Sequence, residues 1–343
     1  MKSVNSLLSI QLCAMRYYFL SALLLLQVLT LQAQRAGKIH SIRTINPDDK
    51  NYADLEPIGK AIGKSRVVVL GEQDHGDGST LLAKSRLVKY LYEKKGFTVL
   101  AFELNKLTLD SLQKNATHNY VAQTRLGIHK FWSRTAETSS LWNYLDSVHA
   151  SPRKIFIEGF TGRLPHQLRS YGDKIMADNI AWLLKTKYPN QKIIVWTASL
   201  HITKNMQALA EHSPDLYKYV SGAADKDSVD AMVEILQRRH GIDPFVLNIV
   251  ALSGTYTPTA WVSTANAPRQ ITIDSTGVEF HMLQQGHTYS FIQLRNLPAA
   301  HWLNKPATMV PYLHSRSRKA KWPEIWDGIF FIKDMKPLTP LAE

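Results

Sequence analysis

The residues with the clearest chemical potential follow one short apolar segment. Val67 to Leu70 form an unbroken apolar run, typical of a strand that is buried on both faces of a parallel sheet. Glu72, Asp74 and His75 follow at once, in the turn-like sequence GEQDHGDGS. Because ligands bind at the carboxyl ends of strands in open α/β sheets, this loop is where a site would be built.

Two other predicted strands also end in ionisable residues. Phe97 to Phe102 ends on Glu103, and Lys192 to Trp196 leads into His201. A helix from Thr80 to Lys94 joins the first strand to the second, which predicts a right-handed βαβ unit with parallel strands. We therefore expect Glu72, His75 and Glu103 to meet at one edge of the sheet, where His201 could join them.

His75 is the candidate general base. Its imidazole titrates near neutral pH, and a neighbouring carboxylate such as Glu72 or Glu103 would raise its pKa and fix its tautomer. Such a histidine can deprotonate water for attack on a carbonyl carbon. The chain has no G-x-S-x-G motif, so the usual serine-hydrolase route lacks support. The alternative is structural: His75 caps the next helix or bonds a buried backbone group, and His201 is a surface histidine.

The same residues suggest a second chemistry. Glu72, His75, Glu103 and His201 would also form a shell of two histidines and two carboxylates for a divalent cation. A Glu-x-x-His pair on a loop indicates metal less specifically than His-Glu-x-x-His on a helix. The prediction is therefore no metal and no cofactor, with a divalent metal as the alternative.

The other elements fit one α/β domain. Helices are predicted from Thr135, over Ser170 to Lys185 and around Val229 to Arg239. Further strands are predicted at Lys154 to Ile157, Phe245 to Leu252, Gln270 to Ile273, Ser290 to Leu294 and Gly328 to Ile332. We expect a central, largely parallel sheet flanked by helices, with helical insertions, over residues 34–343.

The first residues resemble an export signal. Arg16 precedes an apolar run from Tyr17 to Leu29, and Ala33 offers a cleavage site, so residues 1–33 are predicted to be a signal peptide. The expected location is periplasmic or secreted, with no stable membrane insertion after cleavage; an uncleaved anchor is the alternative. The single cysteine, Cys13, precedes the apolar run, so the mature chain would lack a thiol nucleophile.

The chain is strongly basic. Its formal net charge is +13, which favours anionic partners in general. The densest basic cluster, residues 314–321, has no interleaved aromatic platform and is interpreted as a solvated loop. No nucleic-acid partner is predicted.

The segment LGEQDHGDGSTLLAKSRLVKYLYEKKGFTVLAFE resembles the signature of the erythromycin esterase family, in which a Gly-Glu-x-x-His-Gly loop precedes a basic helix and a strand that ends in Glu. Four further segments follow in the order that the family shows: FWSRTAETSSLWNYL, RSYGDKIMADNIAWLL, VWTASLH and WDGIFFIKDMKPLTPL. The resemblance implies that His75 is the general base of a metal-free hydrolysis, with Glu72 and Glu103 as its acidic partners. Lys84 stands where many relatives carry arginine, and Lys84 and Asp74 are assigned to substrate binding.

The chain departs from the family at one strand end. The family's Trp-x-His-Asn-x-His pattern reads Trp196-Thr-Ala198-Ser199-Leu-His201 here, so one histidine is replaced by Ala198. Loss of an imidazole that acts directly would cost roughly a few kcal/mol of transition-state stabilisation. The expected activity is hydrolysis of an ester or lactone other than a macrolide, with a small-molecule substrate. The alternatives are a metal- or haem-binding protein like ChaN or TraB, by analogy of fold, and an inactive ligand-binding envelope protein.

Overall fold

An eight-stranded sheet forms the centre of the protein. The computed structural model describes residues 18–19, 37–114, 116, 119–162, 172–213, 230–258, 263 and 265–342. The predicted signal peptide, residues 1–33, lies outside this range except for Tyr18 and Phe19, so the domain division stays a prediction. None of the described helices is long and apolar enough to cross a membrane.

The strands fall into one large sheet and two short ribbons. The large sheet has the order β1-β9-β12-β6-β2-β5-β3-β4, while β7 pairs with β8 and β10 with β11. The bounds are β1 Ile39–Ile42, β2 Val67–Glu72, β3 Val99–Asn105, β4 Phe156–Thr161, β5 Ile193–Trp196, β6 Phe245–Ala251, β7 Thr255–Tyr256, β8 Arg269–Gln270, β9 Tyr289–Gln293, β10 Ala307–Met309, β11 Arg318–Ala320 and β12 Gly328–Ile332.

The six strands from β12 to β4 are parallel, and β9 runs antiparallel to both β12 and β1. Helices surround the sheet: α1 Glu56–Ile62, α2 Gly78–Lys95, α3 Lys106–Lys114, α4 Tyr120–Leu126, α5 Lys130–Ser133, α6 Ala136–His149, α7 Gly172–Trp182, α8 Met206–His212, α9 Met232–His240 and α10 Val278–Gln284. The predicted fold class, a largely parallel sheet flanked by helices, is confirmed.

Both faces of the central strands are buried. In β2, Val68 and Leu70 pack into one hydrophobic cluster, while Val67 and Val69 pack into the cluster on the opposite face. This accounts for the unbroken apolar run, because no face of the strand meets water. Burial of each such side chain contributes about 1.5–3 kcal/mol.

The strand order sets the geometry of the candidate site. β5 lies between β2 and β3, and Trp196 pairs in register with Leu70 on one side and Phe102 on the other. Leu70, Trp196 and Phe102 therefore lie at one level, and the residues that follow them share one edge of the sheet.

Several predicted boundaries were wrong. The strand predicted at Phe97 begins at Val99 and runs past Glu103 to Asn105. Phe97 belongs to the helix end instead: Gly96 adopts a left-handed φ of 77°, and the Phe97 N–H donates to the carbonyl of Leu91. The predicted strand Gln270 to Ile273 is limited to Arg269–Gln270, paired with β7.

Candidate active site

Glu72, the last residue of β2, is a buried carboxylate with three side-chain partners. Its Oε1 accepts from Trp132 Nε1 at 2.9 Å and lies 2.6 Å from His75 Nδ1, and its Oε2 accepts from Lys84 Nζ at 2.7 Å. The Glu72 and Lys84 side chains are both fully buried. Burial favours the neutral acid, but the charge of Lys84 and the hydrogen bond from His75 outweigh it and lower the pKa of Glu72. Glu72 is therefore an anion at neutral pH.

His75 is held from three sides. Its Nδ1 faces Glu72, its ring stacks on Phe131 with centroids 4.5 Å apart, and Trp132 packs edge-on at 5.1 Å. Its Nε2 has no hydrogen-bond partner among the described residues, and 17% of the side chain stays exposed. Burial lowers the pKa of His75, but the hydrogen bond and charge of Glu72 outweigh burial and raise it. Because Glu72 fixes the Nδ1 proton, the neutral ring presents Nε2 as its basic nitrogen.

Glu103 lies near the end of β3 and is bound by the chain that follows β5. Its Oε2 accepts from Thr197 Oγ1 at 2.6 Å and from the Ala198 N–H at 3.1 Å. Its Oε1 lies 3.3 Å from His201 Nε2. Burial would raise the pKa of Glu103, but His201 outweighs this and holds it well below its usual value. The side chain that departs from the family pattern, Ala198, thus still supplies a backbone donor to the site.

His201 bridges two carboxylates. Its Nδ1 lies 2.5 Å from Asp173 Oδ1 in α7, and its Nε2 faces Glu103. Burial disfavours the cation, but Asp173 and Glu103 raise the pKa of His201 well above its usual value. His201 is therefore an imidazolium at neutral pH, and both of its N–H groups are directed at carboxylates.

Lys84 and Asp74, assigned to substrate binding from the sequence, are both buried. Lys84 Nζ also donates to the carbonyl of Thr197 at 3.0 Å, so it links the ends of β2 and β5. Asp74 Oδ1 accepts from the Gly76 N–H at 2.9 Å, and burial together with the charge of Asp77 raises the pKa of Asp74 to about 6. Their contact with substrate stays a prediction.

Distant segments clamp the loop that carries His75. Asp77 pairs with His314 Nε2 at 2.7 Å, and both side chains are buried. Leu313 N–H donates to the carbonyl of Gln73, and His314 adopts a left-handed φ of 46°, a conformation that non-glycine residues keep only where the surroundings impose it. A Cβ at Gly76 would lie 1.7 Å from the carbonyl oxygen of Thr257, so this position requires glycine. The loop is rigidly placed.

The sequence pattern did not single out three residues at the site. Trp132 binds Glu72, Asp173 binds His201, and the exposed His129 stacks its ring on Phe131 with centroids 5.0 Å apart. Trp132 and Asp173 lie in segments that carry the family resemblance, which was the available signal. Their partners are distant in sequence, so spacing could not reveal the contacts.

The metal alternative requires a cluster of ligands. Among the described residues, no group of three or more histidine, cysteine, aspartate or glutamate side chains is placed to hold a metal ion. Glu72 forms an ion pair with Lys84, and His201 forms an ion pair with Asp173.

Comparisons with known proteins give partial sequence matches. No family model matches the chain. It is 32% identical over 101 residues to the erythromycin esterase type II of Escherichia coli, covering 29% of this chain and 24% of that protein. It is 30% identical over 123 residues to YbfO of Bacillus subtilis, a protein named as a provisional hydrolase. This match covers 34% of this chain and 26% of YbfO. The matches thus span about a quarter of each relative.

Solved structures extend the likeness to most of the fold. A Bacillus cereus protein aligns with a TM-score of 0.63 at 16% identity, covering 92% of this chain and 99% of its own. A succinoglycan biosynthesis protein aligns with a TM-score of 0.62 at 18% identity, covering 90% and 97%. A mutant of the erythromycin esterase EreC in its open conformation aligns with a TM-score of 0.58 at 13% identity, covering 87% and 98%. The chain therefore resembles an erythromycin esterase in sequence over about a third of its length, and it shares the fold of EreC over most of its length.

Proposed function

We propose that this protein is an exported hydrolase that cleaves an ester or lactone by attack of a water molecule that His75 activates. The observation that carries the proposal is the Glu72–His75 pair: Nδ1 is held 2.6 Å from a buried carboxylate, while Nε2 has no partner among the described residues. This is the arrangement that a general base needs. Similarity to an erythromycin esterase supports the reaction class.

In the proposed reaction, water attacks the carbonyl carbon and His75 Nε2 takes its proton. The carbonyl oxygen becomes an oxyanion in a tetrahedral intermediate. The other ring proton stays on Nδ1, hydrogen-bonded to Glu72. The intermediate then expels the alkoxide as the C–O bond breaks, and His75 returns the proton from Nε2 to that leaving oxygen. The products are a carboxylic acid and an alcohol, and no covalent bond to the protein forms.

The cation at His201 has a different role in this proposal from the base at His75. His201 is charged at neutral pH, so it cannot accept the proton of the attacking water. Its positive charge instead favours a developing oxyanion nearby, provided that one N–H turns from Glu103 to the substrate. Lys84 acts indirectly, by holding Glu72 as an anion.

The proposed substrate is not a macrolide. Ala198 stands where the resembled family has a histidine, so one polar contact to substrate is missing. Amino-terminal sequencing of secreted protein tests the export step and locates the cleavage site.

The deciding experiment is hydrolysis of a panel of esters and lactones, including a macrolide, with and without a chelator. We expect turnover that survives chelation and is lost in His75→Ala. His287→Ala is the matched control, because its imidazole forms no ion pair among the described residues, and it should retain activity.

Other outcomes favour the alternatives. Full activity in His75→Ala refutes the mechanism. Activity that disappears on chelation indicates the metal-dependent alternative, while no turnover on any ester favours a metal-, haem- or ligand-binding protein.

A further inference from the structure

A cavity that shares no lining residue with the His75 site lies between α4, α6 and the C-terminal segment. It encloses about 490 Å³, and its lining includes Arg125, Arg134, Trp142, Leu126 and Leu341. We propose that this cavity binds an anion, a carboxylate or a phosphate, attached to an apolar body.

The two arginines form the subsite that would bind the anion. Arg125 donates from Nε to the carbonyl of Ser133 at 2.7 Å, and its guanidinium carbon lies 5.8 Å from the ring centroid of Trp142. These contacts fix the guanidinium plane. Burial lowers the pKa of Arg125, and the charge of Arg134 lowers it further, so the two cations are close enough to repel each other.

No anion of the described chain neutralises this pair. Asp146 lines the cavity but forms an ion pair with neither arginine, and no other described carboxylate pairs with them. The contrast is Arg86, a buried arginine whose two terminal nitrogens each bind Asp54 at 2.8 Å. Two neighbouring guanidiniums that have no counter-ion among the described residues favour an external carboxylate or phosphate, which they can bind with paired hydrogen bonds.

Apolar surface adjoins the two arginines. Leu126 is 62% exposed and Leu341 is 40% exposed, whereas Trp142, which also lines the cavity, is buried. Covering exposed leucine side chains at a cavity wall with an apolar group of a ligand is favourable, because it removes apolar surface from water. The ligand that fits both parts has a charged head and an aromatic or aliphatic body.

Titration calorimetry of the full protein with phenyl phosphate tests the proposal. We expect one binding site, at least tenfold weaker binding in Arg125→Met and in Arg134→Met, and intermediate loss in Arg125→Lys. Lys50→Met removes one exposed positive charge elsewhere and should bind like the wild type. His75→Ala should also bind normally, because the cavity is separate from the candidate active site.

Three results would overturn the proposal. One is no heat of binding by folded wild-type protein up to millimolar ligand. Another is binding that His75→Ala abolishes and the arginine variants retain, which would assign the ligand to the active site. The third is equal affinity for inorganic phosphate and phenyl phosphate, which would show that the apolar body of the ligand contributes nothing to binding. Circular dichroism confirms that each variant is folded, and Arg134→Met is the more conservative variant because Arg134 is exposed.

Discussion

Lys84→Met is the most informative single substitution at the site. It removes the ammonium group that lies 2.7 Å from Glu72 Oε2 and 3.0 Å from the Thr197 carbonyl, while keeping an unbranched side chain in a fully buried position. Glu72 would then remain buried with only His75 and Trp132 as partners. The carbonyl of Thr197 would lose a donor as well.

The expected cost follows from the burial of both charges. Removing one partner of a buried ion pair costs about 3–5 kcal/mol, because the remaining charge is uncompensated. Removing both charges, in Lys84→Met with Glu72→Gln, should cost only about 1–3 kcal/mol, mainly for the unpaired Thr197 carbonyl. The double variant should therefore be more stable than the single one. Lys94→Met, on the exposed end of the same helix, should change the free energy of unfolding by less than about 0.5 kcal/mol.

Urea unfolding at pH 6 and pH 8 measures these free energies. The penalty in Lys84→Met should be no larger at pH 6 than at pH 8, because protonation of His75, whose pKa Glu72 raises, partly neutralises Glu72. A single variant as stable as the control, or a double variant no more stable than the single, would contradict the idea that Lys84 keeps Glu72 ionised. Unchanged m-values would show that the comparison is between similar unfolded states.

Three further predictions test other parts of the site. In wild-type protein, the pKa of His201 is raised in the folded state, so its stabilising contribution is complete below pH of about 6.5 and should decline as pH rises through the folded pKa, measured by urea unfolding across pH. Asp173→Asn should lower the pKa of His201, which NMR titration of its ring proton measures; an unchanged titration would mean that Asp173 does not govern its charge. Gly76→Ala should destabilise the protein, by about 1–3 kcal/mol, because its methyl group meets the carbonyl of Thr257, and a wild-type melting temperature would show that the loop yields.

The sequence identified the part of the site that local pattern determines. Glu72, His75 and Glu103 come from one βαβ unit, so the parallel direction of its strands was enough to predict one shared edge. In the structure Glu72 pairs with His75, and Glu103 pairs with His201.

The remaining contacts depend on how distant elements pack. Nothing in the spacing of Trp132 or Asp173 indicates that α5 reaches Glu72 or that α7 reaches His201. The burial of Lys84 was equally hidden, because the charge of a lysine normally indicates the outer face of a helix. Its position is explained by two acceptors that only the folded chain brings together, the buried Glu72 carboxylate and the Thr197 carbonyl.

The place of β5 between β2 and β3 has a consequence for how the chain folds. β2 and β3 precede β5 in the sequence, yet they do not pair with each other. Each of them forms its ladder of backbone hydrogen bonds with β5, residues 193–196. During synthesis, therefore, the edges of β2 and β3 that later pair with β5 are open, and open apolar strand edges are prone to pairing with other chains. Closing them requires a long-range contact with a high entropic cost. The sheet centre and the site at its edge should thus form together, late and cooperatively, and a nascent chain that ends before residue 193 would be a natural client for chaperones.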